Sequence, residues 1–236
     1  ADPPVQTSLD TPPLPDLPPI PPPHPGSPTV ISQSPNPSSN TIALTIDDGY
    51  CASCVSAYVQ FAETTGTAIT FSPNGTYSAE WTPHAATLRD LIAAGQVQIG
   101  NHTYTHLSML GRSDSDVQAD IMRNEAWIQE TFGITSRPYL RPPYGFHNSH
   151  SDALAASLGY TKILLWNGTL GDATPISATD LLNLANQYFN AGTIMLGHAN
   201  HPTVNMLYPQ LLKMLGDRNL RPVTLDTMFG TSRARG

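Results

Sequence analysis

The chain has 236 residues, enough for one domain of about 200 residues with a sizeable core plus a tail. Eleven Lys and Arg stand against 18 Asp and Glu, a formal net charge of −7. Phosphate backbones are held by clustered Lys and Arg, so no nucleic-acid partner is expected. No apolar run reaches the ~18–20 residues that cross a bilayer, and two cysteines are too few for a disulfide-dense scaffold or a four-thiolate zinc site.

Residues 1–40 carry 14 of the 23 prolines and no Phe, Trp or Tyr. Proline has no amide to donate, so runs such as Pro21-Pro22-Pro23 cannot enter a helix or a central strand. The segment is expected to be an extended, partly polyproline linker, with Thr29-Val30-Ile31 as a short apolar stretch able to lie against the domain. The first residues, Ala-Asp-Pro-Pro, suit a mature chain after signal removal or a cloned start. The expectation is a secreted or cell-envelope protein.

From Thr41 short apolar runs alternate with helical patterns. In chain order the expected elements are strand Thr41–Ile46, helix Val55–Glu63, strand Ala68–Phe71, helix Pro83–Ala94 and strand Val97–Gly100. They continue with helix Asp114–Phe132, strand Pro138–Arg141, helix Ser151–Leu158 and strand Lys162–Trp166. Helix Ala178–Asn190, strand Thr193–Gly197, helix Val204–Leu215 and strand Pro222–Leu225 complete the series. Thr82 before Pro83 and Ser113 before Asp114 are start signals, and Gly95, Gly133, Gly159, Gly192 and Gly216 are stop signals. Seven strands alternating with six helices predict βαβ units and a parallel sheet. A site then belongs at the carboxyl ends of the strands.

Chemistry-bearing residues fall there. Strand one ends Thr45-Ile46-Asp47-Asp48-Gly49; adjacent carboxylates are costly to desolvate without a cation, and extended backbone would aim them to opposite sides. Asp-Gly is also an ordinary turn pair. After the third strand come His102 and His106 in Asn101-His102-Thr103-Tyr104-Thr105-His106. Histidines four apart share one face of a helical turn and can bind one metal, although no HExxH pattern is present. Arg141-Pro142-Pro143-Tyr144-Gly145 follows the fourth strand and Leu196-Gly197-His198 ends the sixth.

Taken in order, these four motifs resemble the polysaccharide deacetylases of carbohydrate esterase family 4, the NodB homology domain. The resemblance covers Thr41–Leu225. It implies an α/β fold, a distorted and partly open (β/α)7 barrel over residues 41–229, preceded by the Pro-rich segment 1–40 and followed by a flexible tail, 230–236. It implies metal-dependent removal of acetyl groups from a carbohydrate polymer: N-acetylglucosamine in peptidoglycan or chitin oligomers, or acetylated xylan. Asp48, His102 and His106 resemble the metal triad for one divalent ion, zinc first, with cobalt or nickel compatible. Asp47 resembles the general base, held ionised and oriented by Arg141. The Tyr144 amide would stabilise the oxyanion, and His198 would be the general acid. Leu196, Tyr144 and Trp166 would contact substrate.

Two departures stand out. Asp172 sits where the family's acid-tuning carboxylate is expected, but Ala173 replaces the usual Trp that follows it. Tyr50 and Cys51-x2-Cys54 replace the usual Pro region; the cysteine pair is compatible with a disulfide, free thiols or a redox role. A degenerate glycan-binding module and a hydrolase of small amides stay as alternatives. A monomer is expected. His147 and His150 are expected at the surface or cleft rim, His201 at the rim or behind His198, and Tyr77 and Trp81 either as an aromatic face for a sugar ring or as packing; Asn74, Asn101 and Asn167 head Asn-x-Thr sequons.

Overall fold

A computed structural model describes residues 19–20 and 22–231. Residues 232–236 of the expected tail and most of the linker's first half therefore lie outside the described residues. Two parallel sheets form an α/β fold. The larger runs β4-β3-β2-β8-β7, with β9 also paired to β2; the smaller runs β1-β6-β5. Their strands are β1 (Thr29–Ile31), β2 (Thr41–Asp48), β3 (Ile69–Pro73), β4 (Val97–Ile99), β5 (Tyr139–Leu140), β6 (Lys162–Leu164), β7 (Gly168–Thr169), β8 (Ile194–His198) and β9 (Arg221–Pro222). The helices are α1 (Ala52–Thr65), α2 (Ser78–Trp81), α3 (Ala85–Ala93), α4 (Asp114–Phe132), α5 (Ser149–Ser157), α6 (Ala178–Tyr188), α7 (Tyr208–Asp217) and α8 (Leu225–Phe229).

The ring is a partly open barrel. A parallel bridge between Asn101 and Leu140 joins β4 to β5, and an antiparallel bridge joins Gln33 to Thr193; no continuous ladder runs between the two sheets among the described residues. Apolar β2 side chains such as Ile42 and Ile46 pack with Phe71, Ile69 and the inner faces of α1, α3 and α7. Central β2 is almost wholly buried, as expected of a parallel strand covered on both faces.

Helix limits follow their caps. Ser113 accepts from the Asp116 amide and Gly133 ends α4 in the left-handed region, matching the expected Asp114–Phe132. The expected helix Val204–Leu215 divides instead into a 3₁₀ turn, Pro202–Met206, and α7, because Pro209 in the first turn of α7 starts a new helix. The expected strand Pro222–Leu225 is also cut short. Thr224 caps α8 through the Thr227 amide, so Leu225 is helical rather than extended.

The sheet reaches further toward the N-terminus than residue 41. Thr29, Val30 and Ile31 pair in parallel with Lys162, Ile163 and Leu164, bracketed by bonds from the Thr29 amide to Thr161 and from the Leu165 amide to Ile31. The surrounding prolines mask this strand in the sequence, yet none of them falls inside it. Ile31 is buried with Tyr139, Leu164 and Val223. Ile31→Ala is expected to lower unfolding free energy by about 2–4 kcal/mol in chemical denaturation; no change would show that β1 adds nothing to the fold.

Candidate active site

Four loops at the carboxyl ends of the strands converge on one cavity of about 510 Å³. Asp47 and Asp48 come from the end of β2, His102 and His106 from the loop after β4, Tyr144 from the turn after β5, and His198 from the end of β8. Strand alternation predicts opposite faces for the two aspartates, but both line this cavity. Asp48 has φ 67°, which breaks the alternation at the strand's last residue. Gly49 must follow: a Cβ there would lie 2.1 Å from Trp81 Nε1. That indole donates to the Asp48 carbonyl at 2.9 Å, so Trp81 is a buried buttress rather than a rim residue.

His102 and His106 meet without a helical turn. Residues 102–106 are non-helical, and Thr103 (φ 64°) and His106 (φ 60°) are left-handed. Non-glycine residues held there are strained, by about 1–3 kcal/mol each, and need support. Asn74 Nδ2 donates to the carbonyls of His102 (2.8 Å) and Thr103 (2.9 Å). Asp120 accepts from the Tyr104 amide (3.0 Å), the Thr105 amide (2.9 Å) and the Thr105 hydroxyl (2.6 Å), and Arg112 donates to it at 2.9 Å. Asn101 Oδ1 accepts from the Thr103 amide and from Asn124. Asn74 and Asn101 are fully buried, so neither sequon is open to a glycan in the folded chain. Asn167 is exposed.

The donor set fits a cation. His102 Nδ1 bonds the Arg141 carbonyl at 2.7 Å, and a carbonyl only accepts, so Nδ1 carries the proton. Neutral His102 then aims its Nε2 lone pair at Asp48 Oδ1, 3.1 Å away. His106 Nε2 lies 3.3 Å from the same oxygen, which is buried and without a hydrogen-bond partner. One ligand atom from each of Asp48, His102 and His106 lies within 4.8 Å of the others. Lone pairs converging in a buried pocket repel unless a proton or a metal sits between them, and a backbone carbonyl behind the imidazole is a usual support for a metal-binding histidine. Burial opposes the charge on Asp48, but the imidazole neighbours, His102 first and then His106 and His198, hold its carboxyl below the usual carboxylate range. Burial also opposes a charge on His102, yet Asp47, Asp48 and the Arg141 carbonyl outweigh it and raise its pKa. Burial and then His102 push His106 down.

Around the triad stand two further pairs. Arg141 Nη1 donates to both oxygens of Asp47, at 2.9 and 2.8 Å. Its Nη2 reaches Thr45 Oγ1 and its Nε the Leu164 carbonyl, each at 2.8 Å. Asp172 Oδ1 bonds His198 Nδ1 at 3.0 Å and Asp172 Oδ2 accepts the His198 amide at 3.2 Å. Burial pushes His198 down, but the Asp172 bond and the charges of Asp47, Asp172 and Asp48 raise it above an ordinary histidine. Tyr144 is left-handed (φ 61°) and its ring stands edge-on to His106, 4.7 Å between centroids. Leu196, Trp166 and Ala173 line the same cavity.

Sequence reasoning missed Asn200, whose Nδ2 donates to Asp48 Oδ2 at 2.8 Å while its Oδ1 accepts from the Gly49 amide. It also missed Asp120 and Asn124. These are single polar residues on loops or a helix, with no spacing to mark them. His147 and His150 are occupied by Asp152 and Asp114. Cys51 and Cys54 form a disulfide at the start of α1.

The sequence model of the family Polysaccharide deacetylase matches residues 34–163. The chain belongs to the polysaccharide deacetylase family. The family includes xylan, chitin and peptidoglycan deacetylases. A bifunctional xylanase/xylan deacetylase of Cellvibrio japonicus is 26% identical over 196 residues, covering 83% of this chain and 29% of that protein. A chitin deacetylase of Amylomyces rouxii is 28% identical over 197 residues, covering 78% of this chain and 45% of that protein. This deacetylase-family chain thus spans less than half the length of either curated relative. The fold is shared with a carbohydrate esterase family 4 pseudoenzyme from Bacillus anthracis, at TM-score 0.76 and 18% identity, covering 86% of this chain and 69% of that one.

His106→Ala should abolish stoichiometric divalent-metal uptake, read by elemental analysis after dialysis. Asp120→Ala, which frees the 102–106 loop, should weaken metal affinity by about 10–100-fold; wild-type affinity in both variants would exclude the triad as a metal site.

Proposed function

We propose that the chain is a metal-dependent hydrolase that removes acetyl groups from a carbohydrate polymer. The observation that carries this reading is the convergence of the unpartnered Asp48 oxygen with two imidazoles, beside an arginine-held aspartate and an aspartate-backed histidine. A divalent cation held by Asp48, His102 and His106 would act as a Lewis acid toward the acyl carbonyl and lower the pKa of water. Zinc suits one carboxylate and two imidazoles, and cobalt or nickel suits them too.

In this reading Asp47 takes the proton from the attacking water. Its Oδ2 stands 3.7 Å from His102 Nε2, next to the metal pocket, and the paired bonds from Arg141 fix its orientation. His198 has its Nδ1 engaged by Asp172, so Nε2 is left to give a proton to the leaving amine or alcohol. The Tyr144 amide supplies a donor to the developing oxyanion. Leu196 and Trp166 wall the acetyl methyl, and Ala173 leaves that wall with a methyl side chain. Hydrolysis consumes one water and yields acetate and the freed amine or hydroxyl. A disulfide and a polymer substrate both suit action outside the cytosol, and no helix among the described residues is long and apolar enough to cross a membrane.

Asp47→Asn should keep the metal and lower acetate release by about 10²–10⁴-fold, the usual size of a general-base contribution; a fully active variant removes Asp47 from that role. A general acid must be protonated, so activity falls as pH rises through the His198 pKa. Asp172→Asn removes the hydrogen-bonded charge that raises that pKa, so the alkaline limb of the kcat profile should move to lower pH. An unmoved limb would detach His198 from the proton transfer.

A further inference from the structure

The two oxygens of Asp48 have different surroundings. Oδ1 is buried without a hydrogen-bond partner and lies 3.1 Å from His102 Nε2 and 3.3 Å from His106 Nε2. Oδ2 accepts from Asn200 Nδ2 at 2.8 Å. The orientation of that side-chain amide is forced. The Gly49 amide points at Asn200 Oδ1, 3.2 Å away. A backbone N–H can only donate, so the oxygen must face it and the amino group must face the carboxylate. Asn200 therefore grips the side chain of one residue and the backbone of the next.

The grip is itself anchored. Asn200 lies in the bend just after β8, on the loop that begins with His198. The Ala199 amide donates to the Asp47 carbonyl at 3.0 Å, and the Ala199 carbonyl accepts from the Cys51 amide at 3.3 Å. The backbone leading into Asn200 is thus tied to the chain on both sides of Asp48, and the Trp81 indole holds the Asp48 carbonyl. Asp48 and Asn200 are both buried. Turning Oδ2 away from Asn200 would leave a buried N–H without an acceptor, which costs free energy.

A carboxylate can hold a cation through one oxygen or chelate it through both. Chelation takes up two coordination positions, whereas a hydrolytic centre needs positions left for water and substrate. A neutral amide suits the task. It occupies Oδ2 without adding charge beside the cation, as a second carboxylate or a lysine at that place would do. We propose that Asn200 is a positioning residue that makes Asp48 a one-oxygen ligand, holding Oδ2 aside so that Oδ1 alone serves the metal. The inference rests on the metal-dependent reading above and adds which oxygen binds and what keeps the other from binding.

The test uses the full chain, made with isotope-labelled aspartate, and zinc. Infrared difference spectra, zinc-bound minus zinc-free, read the separation between the antisymmetric and symmetric carboxylate stretches. That separation is wide for one-oxygen binding and narrow for chelation. The unsubstituted chain should show the wide separation. Asn200→Ala should narrow it and, by loosening the ligand, weaken zinc affinity by about 10–100-fold in competition with a chromophoric chelator. Asn200→Leu keeps the bulk without the donor and should do the same; it serves if the alanine variant does not fold. Support of the loop alone would lower affinity but leave the separation wide, and that result in the folded variants overturns the proposal. So does a narrow separation in the unsubstituted chain. Failure of the unsubstituted chain to take up zinc overturns the metal-dependent reading and this inference with it. One-oxygen binding that depends on Asn200, without acetate release, would sink the deacetylase reading alone. Acetate release with a separation that Asn200 does not control would sink this inference alone.

Discussion

One buried guanidinium holds the two halves of this barrel in register. The small sheet and the large sheet share no continuous ladder among the described residues, yet Arg141, just after β5, reaches the Leu164 carbonyl at the end of β6 and both Thr45 and Asp47 on β2. Its own carbonyl accepts from His102. Desolvating such a charge costs about several kcal/mol unless it is paired and hydrogen-bonded, and here a carboxylate, a hydroxyl and a carbonyl answer its donors. The same residue therefore sets the spacing between sheets, the aim of Asp47 and the tautomer of His102. Losing it would disturb three things together, which is why a structural and a chemical role cannot be separated at this position.

The second constraint is backbone strain. Asp48, His106 and Tyr144, three of the five left-handed non-glycine residues among those described, line the same cavity, and a fourth, Thr103, directly follows the lining residue His102. Strain of this kind persists only where surroundings over-determine it. The Trp81 indole, the Asn200 amide, Asn74 and the Asp120 carboxylate supply that determination. Packing energy from α4 and the loop after β3 is thus converted into the position of metal-binding atoms.

Much of this was legible in the chain. Strand ends are where parallel folds place chemistry, and Asp47, Asp48, His102, His106, Arg141 and His198 all follow or end apolar runs. Ser113 and Gly133 marked α4 because capping is local. What escaped is non-local or conformational. The four-residue spacing of His102 and His106 predicts a shared helical face, whereas two left-handed residues bring them together. Asp120 lies 14 residues beyond His106 in sequence, and nothing in its spacing says that it folds back onto that loop. Thr29-Val30-Ile31 stood out among the prolines as an apolar stretch, but that it pairs with the distant β6 is non-local and left no mark in the sequence.

That strand also has a mechanical meaning. β1 runs parallel to β6, joined by evenly slanted rungs, with Ile31 wedged into the core beneath. Tension along the chain N-terminal to Thr29 would load those rungs together in shear instead of peeling them singly. The short strand is then a strain-relief anchor. A pull on the leading segment is taken up at β6, on the other sheet from Asp48 and His198.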